Sequence, residues 1–128
     1  MSETEKITIN VSVVDLGRID LLSEEGFYSN RTDFVRTAIR NQLDKHAFDV
    51  KQSITRKSMV IGVIVYGRQQ LEKYQAKGKR VDIRAVGLVI IESDVPPELA
   101  DETIASIKVN GILRADNAVK KVLSDRIQ

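Results

Sequence analysis

The segment KITINVSV, residues 6–13, alternates strictly between polar and apolar side chains. This period of two predicts a single β-strand with one buried face and one wet face. Only helical patterns follow it before residue 47. A lone strand leaves both of its edges unpaired, and about fifty residues bury too little surface to fold alone. The first part of the chain therefore needs a partner, and the simplest one is a second copy whose strand pairs antiparallel about a two-fold axis.

Two amphipathic helices are predicted after this strand. The first covers residues 13–25, between a capping Ser12 and a terminating Gly26. The second starts after a capping Asn30 and ends near His46. Its apolar residues share one helical face: Phe34, Val35, Ala38, Ile39 and Leu43.

The run YSNRTDFVRTAIR, residues 28–40, resembles the second-helix signature of the ribbon-helix-helix family, the CopG/Arc/MetJ-like DNA-binding transcriptional regulators. In that signature a capping Ser or Asn and an Arg precede an acidic residue, an apolar pair and Arg-x-Ala-Ile-Arg. With the strand and the first helix ending in Glu-Glu-Gly, the resemblance covers about Lys6–Leu43, a third of the chain. It implies an intertwined homodimer whose antiparallel two-stranded ribbon enters the major groove of double-stranded DNA.

Carried over by position, the resemblance implies that Lys6, Thr8 and Asn10 contact base edges. These side chains suit the task, because Lys favours guanine, Asn can bond adenine through two groups, and Thr offers a hydroxyl or a methyl contact.

The resemblance also implies a phosphate site at the start of the second helix, at Ser29, Asn30 and Arg31. Backbone N–H groups and a partial positive charge are available at a helix N-terminus. The apolar face of the strand and the second helix is implied to form the dimer core: Ile7, Ile9, Val11, Phe34, Val35, Ala38 and Ile39.

Bulk charge adds little to such binding. The formal net charge is +2, and residues 1–50 carry 6 Lys and Arg against 9 Asp and Glu, whereas residues 51–128 carry 14 against 9. Neutralisation of phosphates supplies most non-specific affinity for DNA. A chain with so little net positive charge therefore has to bind DNA through the geometry of its contacts. Glu3 and Glu5, just before the strand, predict modest affinity per dimer.

Three segments of the second half each read as a strand followed by a helix. The second and third match at an offset of 24 residues, and Gly62 precedes Gly87 by 25. Such a period is typical of stacked repeats and predicts a small parallel three-stranded β/α stack. The strands are predicted over Met59–Tyr66, Val81–Ile91 and Ile107–Ala115, and the helices over Arg68–Ala76, Pro96–Ser106 and Asn117–Arg126.

Chance similarity between short strands rich in Val, Ile and Gly is the competing explanation of these matches. It leaves open a compact α/β regulatory domain of another topology, resembling the ligand-binding domain of nickel-responsive ribbon-helix-helix regulators. The absence of cysteine and the single histidine argue against nickel itself.

The predicted fold class is α+β or α/β, with an N-terminal ribbon-helix-helix dimer and a C-terminal β/α domain. Residues 1–46 are expected to bind DNA and dimerise, residues 47–58 to connect, and residues 59–128 to assemble dimers or bind an effector or partner.

Composition and motifs exclude several classes of function. Thiolate metal sites and cysteine nucleophiles are impossible in a chain without cysteine, and His46 has no second histidine to complete a metal site. No phosphate-binding glycine motif or catalytic constellation is found, so neither an enzyme nor a cofactor is expected. An acidic start and apolar runs far shorter than about 20 residues predict no signal peptide, no membrane span and a cytoplasmic location.

These features predict a sequence-specific DNA-binding regulator, with repression as the expected mode. Two alternatives remain open: an antitoxin whose second half binds a toxin, and a plasmid-partition or DNA-architectural protein. The expected partners are double-stranded DNA and a second copy. A higher oligomer formed through the C-terminal domain, a protein partner and a small effector also remain open.

Overall fold

A computed structural model describes residues 3–128 of the chain. The chain divides into two units, the first ending at Phe48 and the second spanning Asp49–Gln128. The first two positions of the predicted 1–46 domain lie outside the described residues.

The first unit contains two helices, α1 (Val13–Glu24) and α2 (Arg31–Lys45). Both begin at the predicted caps. The Ser12 hydroxyl accepts a hydrogen bond from the Asp15 N–H at 3.1 Å, and the Asn30 side-chain oxygen accepts one from the Asp33 N–H at 2.8 Å. Gly26 follows α1 with φ +88°, a conformation that suits glycine and ends the helix as predicted.

Residues 3–12 form no strand within the single chain. A strand is defined by hydrogen bonds to a neighbour, and the first unit supplies no second strand among its described residues. The ribbon therefore remains a prediction about two chains. Val13, the last residue of the predicted strand, is the first residue of α1.

A third helix, α3 (Ala47–Arg56), occupies most of the predicted connector. Each strand of the second unit is then followed by a helix. The strands are β1 (Val60–Tyr66), β2 (Val81–Ile91) and β3 (Ile104–Arg114), and the helices are α4 (Arg68–Ala76), α5 (Pro97–Thr103) and α6 (Asn117–Val122). The sheet has the order β1-β2-β3 with both pairs parallel, which confirms the predicted three-stranded parallel sheet.

The core of the second unit lies on one face of this sheet. Alternate residues of the central strand β2 point into it and pack against buried side chains of the helices. Burying one such aliphatic side chain contributes about 1.5–3 kcal/mol relative to leaving it in water. The buried set includes Leu71, Ile83, Ala85, Val89, Ile91, Leu99, Ile107, Val119 and Leu123.

Three glycines, Gly62, Gly87 and Gly111, lie side by side across the sheet. Their φ angles are +129°, +131° and +130°, which side chains of L residues rarely allow. A Cβ on Gly87 would overlap the carbonyl oxygen of Gly62, and a Cβ on Gly111 would overlap that of Gly87. The register explains why the glycines recur at offsets of 25 and 24, whereas the origin of the three segments as repeats remains a prediction.

Three elements, β3, α5 and α6, differ from the predicted bounds by more than one residue, for two reasons. Strand β3 begins at Ile104 rather than Ile107, because Ile104 pairs with Val81 beside a register shift in β2, and this shortens α5. Helix α6 ends at Val122 rather than Arg126, because the Arg126 carbonyl accepts a hydrogen bond from the Ile107 N–H at 3.0 Å. Both reasons involve long-range pairing, which helix periodicity does not encode.

Candidate nucleic-acid interface

The three residues predicted to contact bases lie on the segment before α1. Lys6, Thr8 and Asn10 are all exposed. They alternate with Ile7 and Ile9, whose side chains are 75% and 68% exposed. Apolar side chains contribute no burial free energy while they are exposed to water. The alternating isoleucines are therefore a candidate surface for contact with another chain.

The predicted dimer core continues onto α2. No residue of the range 3–48 is buried in the single chain. Phe34 is half-buried against Tyr28, with the ring centroids 5.0 Å apart in an edge-to-face arrangement. The other members of the predicted core are exposed: Ile7, Ile9, Val11, Val35, Ala38 and Ile39.

The start of α2 is held by a local network of hydrogen bonds. The backbone N–H and the hydroxyl of Ser29 both donate to Asp33 Oδ2 at 3.0 Å, and Asn30 caps the Asp33 N–H. The two hydrogen bonds from Ser29 hold the pKa of the Asp33 carboxyl below its usual range, and the bond from the backbone N–H has the larger effect. Ser29 and Asn30 therefore shape the helix start, whatever else they contact.

Arg31, the third residue of the predicted phosphate site, is engaged by an acidic residue of α1. Its Nε and Nη2 donate to the two carboxylate oxygens of Asp20, both at 2.8 Å. The hydrogen-bonded ion pair lowers the pKa of Asp20 and raises the pKa of Arg31. Asp20 was missed by sequence reasoning, because the two residues are eleven positions apart and their meeting depends on the angle between the helices.

The helix start offers an anion two backbone donors. Within residues 3–128, the N–H groups of Arg31 and Thr32 donate to no acceptor. They lie at the N-terminus of a helix of 15 residues, where the partial positive charge favours a phosphate. The carboxylates of Asp20 and Asp33 offset part of that attraction, so a phosphate bound there would gain little net electrostatic affinity.

The second unit offers a cleft but no group of metal-binding side chains among its described residues. The cleft has a volume of about 280 Å³ and a mostly apolar lining contributed by α3 and two strands, including Val50, Ile54, Met59 and Val86.

Across residues 3–128, no three His, Asp or Glu side chains are grouped as a metal site would require. None of the helices in that range is long and apolar enough to cross a membrane.

Comparison with known proteins identifies a family. The sequence model of the family described as "Ribbon-Helix-Helix transcriptional regulator family" matches residues 2–120. No curated protein and no solved structure matches the chain. The family match extends the resemblance, which was expected for the N-terminal third alone, over nearly the whole chain. The second unit is therefore part of the family's pattern rather than an unrelated addition.

Proposed function

The chain belongs to the ribbon-helix-helix transcriptional regulator family, and we propose that it is a sequence-specific DNA-binding repressor that acts as a homodimer. Regulators of this family bind DNA, generally as dimers. The observation that carries the proposal is the lack of any buried side chain in residues 3–48, combined with exposed isoleucines at alternate positions before α1. Pairing two such segments in an antiparallel ribbon buries one face and leaves the other free to enter a major groove.

In this proposal the outward face of the ribbon reads sequence. Asn10 forms a two-point contact with adenine, Lys6 approaches guanine, and Thr8 offers its hydroxyl or methyl group. The contacts are assigned to these residues because their side chains are exposed and lie opposite Ile7 and Ile9 in the alternation.

The start of α2 serves as the phosphate contact. The N–H groups of Arg31 and Thr32 provide direct donors, while Ser29 and Asn30 keep the turn in shape. This contact fixes the position of the ribbon along the groove and carries no sequence information.

Repression follows if a bound dimer occupies a promoter and excludes other proteins. The proposal includes neither a catalytic role nor a cofactor, and it keeps the cytoplasmic location expected from the sequence. The folded core of the second unit favours a regulator over the antitoxin alternative, because toxin-binding segments of antitoxins are commonly short and disordered when free.

The test is selection of bound sequences from a random double-stranded DNA library by the full-length protein at two salt concentrations. We expect a short palindromic or tandem motif that survives the higher salt, because base contacts depend less on salt than phosphate contacts do. The control is a Lys6→Ala, Thr8→Ala and Asn10→Ala triple variant, which keeps the apolar face of the ribbon. Enrichment of the same motif by this variant, or of none by the wild type, would refute the proposal.

A further inference from the structure

Strand β1 is an edge of the sheet and is apolar along its whole length. Its sequence, VIGVIVY, has no charged residue and no proline. Among residues 3–128, β2 is the one strand that pairs with β1, and no isolated bridge covers the other edge. Ile61 and Val63 are 65% and 56% exposed. An exposed, apolar and uncharged edge strand is a template for pairing with another strand.

The opposite edge of the same sheet is protected. β3 carries Lys108 and Arg114, and the C-terminus of the chain lies along its outer side. There the Gln128 N–H donates to the Ile107 carbonyl at 2.8 Å, next to a parallel bridge between Ile107 and Ile127. Charged side chains and a covering segment are the usual protection of a free edge. Within residues 3–128, β1 is therefore the unprotected edge of the sheet.

We propose that β1 pairs with β1 of a second copy, antiparallel and centred on Val63, to join two sheets into one of six strands. The partner strand has to be uncharged along its length, since β1 offers no opposite charge. Within this chain β2 carries Asp82 and Arg84, and β3 carries Lys108, so β1 itself is the strand that matches. Two-fold contacts between identical patches are also the commonest arrangement in homo-oligomers.

The pairing extends an apolar surface as well as a hydrogen-bond ladder. Ile64 and Tyr66 pack against the core, so the alternation of the strand places Ile61, Val63 and Val65 on the opposite face. A two-fold axis perpendicular to the sheet keeps equivalent faces on the same side. The three side chains of one copy then meet the same three of the other, with Val63 opposite Val63 and Ile61 opposite Val65.

The chain has no cysteine, so one introduced cysteine reports on this contact alone. Opposite residues of an antiparallel pair have Cα atoms about 4.5–5.5 Å apart, within the range of a disulfide. In the full-length protein we expect Val63→Cys to form an intermolecular disulfide at least tenfold faster than Val65→Cys. Val65→Cys is the matched control because it lies on the same face of the strand. In the paired sheet, however, the Cα atoms of position 65 in the two copies are four strand positions apart, about 13 Å. Equal rates at the two positions, or no cross-link at Val63, would overturn the proposal.

Hydrogen exchange measures the same contact without a cysteine. Pairing protects the outward-pointing amides of β1, so peptides covering residues 60–66 should exchange as slowly as those of β2. Val63→Lys places two ammonium groups on the axis and should speed exchange at the outward amides at least tenfold, with β2 unchanged. Fast exchange of half of the β1 amides in the wild-type protein would contradict the pairing. Neither readout uses DNA, so failure here leaves the proposed DNA-binding function standing.

Discussion

Arg31, at the start of α2, binds both carboxylate oxygens of Asp20 on α1, each at 2.8 Å. The two side chains are 60% and 47% exposed, so the pair fixes the direction of the guanidinium more than it stabilises the fold. It also withdraws a cation from the predicted phosphate site.

Asp20→Ala should therefore strengthen binding to DNA. The change frees the Arg31 guanidinium and removes a negative charge beside the helix start, so we expect several-fold tighter binding to random DNA at low salt. The slope of log affinity against log salt should steepen by about one unit. Glu24→Ala, which removes a carboxylate elsewhere on α1, is the control for charge alone. Equal gains from the two variants would show that Arg31 does not contact phosphate.

Asn10→Ala should remove sequence discrimination while leaving the dimer folded. A two-point contact between an amide side chain and a base contributes about 1–3 kcal/mol of discrimination. The preference for operator over random DNA should therefore fall by one to two orders of magnitude in competition binding. Asn41→Ala, at an exposed position of α2, should leave this preference unchanged. Retention of full discrimination by Asn10→Ala would remove Asn10 from the interface.

Ile9→Lys should prevent dimerisation through the first unit. The substitution places an ammonium group on the face of the ribbon that pairing buries, which is costly without a partner charge. Thr8→Lys adds the same charge on the outward face and should keep that contact. Mass measurement and DNA binding distinguish the two variants. If Ile9→Lys bound an operator as tightly as the wild type, the assignment of the two strand faces would be wrong.

The three glycines that lie side by side across the sheet predict different losses of stability for the same substitution at two positions. Gly62→Ala meets no atom within 4 Å but keeps an unfavourable φ of +129°, so it should lower the stability of the second unit by about 1–3 kcal/mol. Gly87→Ala has a similar φ of +131°, and its new Cβ would also overlap the Gly62 carbonyl oxygen, so it should lower the stability of the second unit further. Urea unfolding followed by circular dichroism checks the order. Equal losses would mean that the backbone relieves the overlap.

Acid should loosen the first unit. Hydrogen bonds from Ser29 lower the folded-state pKa of Asp33, and Arg31 lowers that of Asp20. A lowered folded pKa gives stability that is complete above the unfolded value, about 4, and is lost as the pH falls through the folded pKa. Thermal unfolding below pH 4 should show this loss, and Asp33→Asn should weaken the dependence. Asp44→Asn removes a carboxylate at the other end of α2 and serves as the control for charge alone. Equal weakening by the two variants would show that the bonds to Asp33 do not cause the dependence.

Local signals allowed much of this fold to be predicted. Ser12, Asn30 and Gly26 mark helix ends through interactions within four residues of the chain, and the structure places them as expected. The three strands also followed from runs of Val, Ile and Leu between helical patterns. Their parallel order agrees with the similar spacings of the glycines, 25 and 24 residues.

The features that the sequence did not predict depend on contacts between distant residues. The early start of β3 comes from the pairing of Ile104 with Val81, and the ion pair between Arg31 and Asp20 joins two helices. Neither contact has a local sequence signature. The base contacts at Lys6, Thr8 and Asn10 remain predictions, since they depend on a second chain and on DNA.

The absence of buried side chains in residues 3–48 links the folding of the first unit to the amount of protein. If its core forms only between two chains, its folding is a second-order process, and its midpoint of unfolding rises with concentration. Dilution then lowers the concentration of dimers by a larger factor than it lowers the total concentration of chains. For the proposed dimer, halving the protein level where unpaired chains predominate would lower the number of DNA-binding dimers up to fourfold, so the response is steeper than one-to-one.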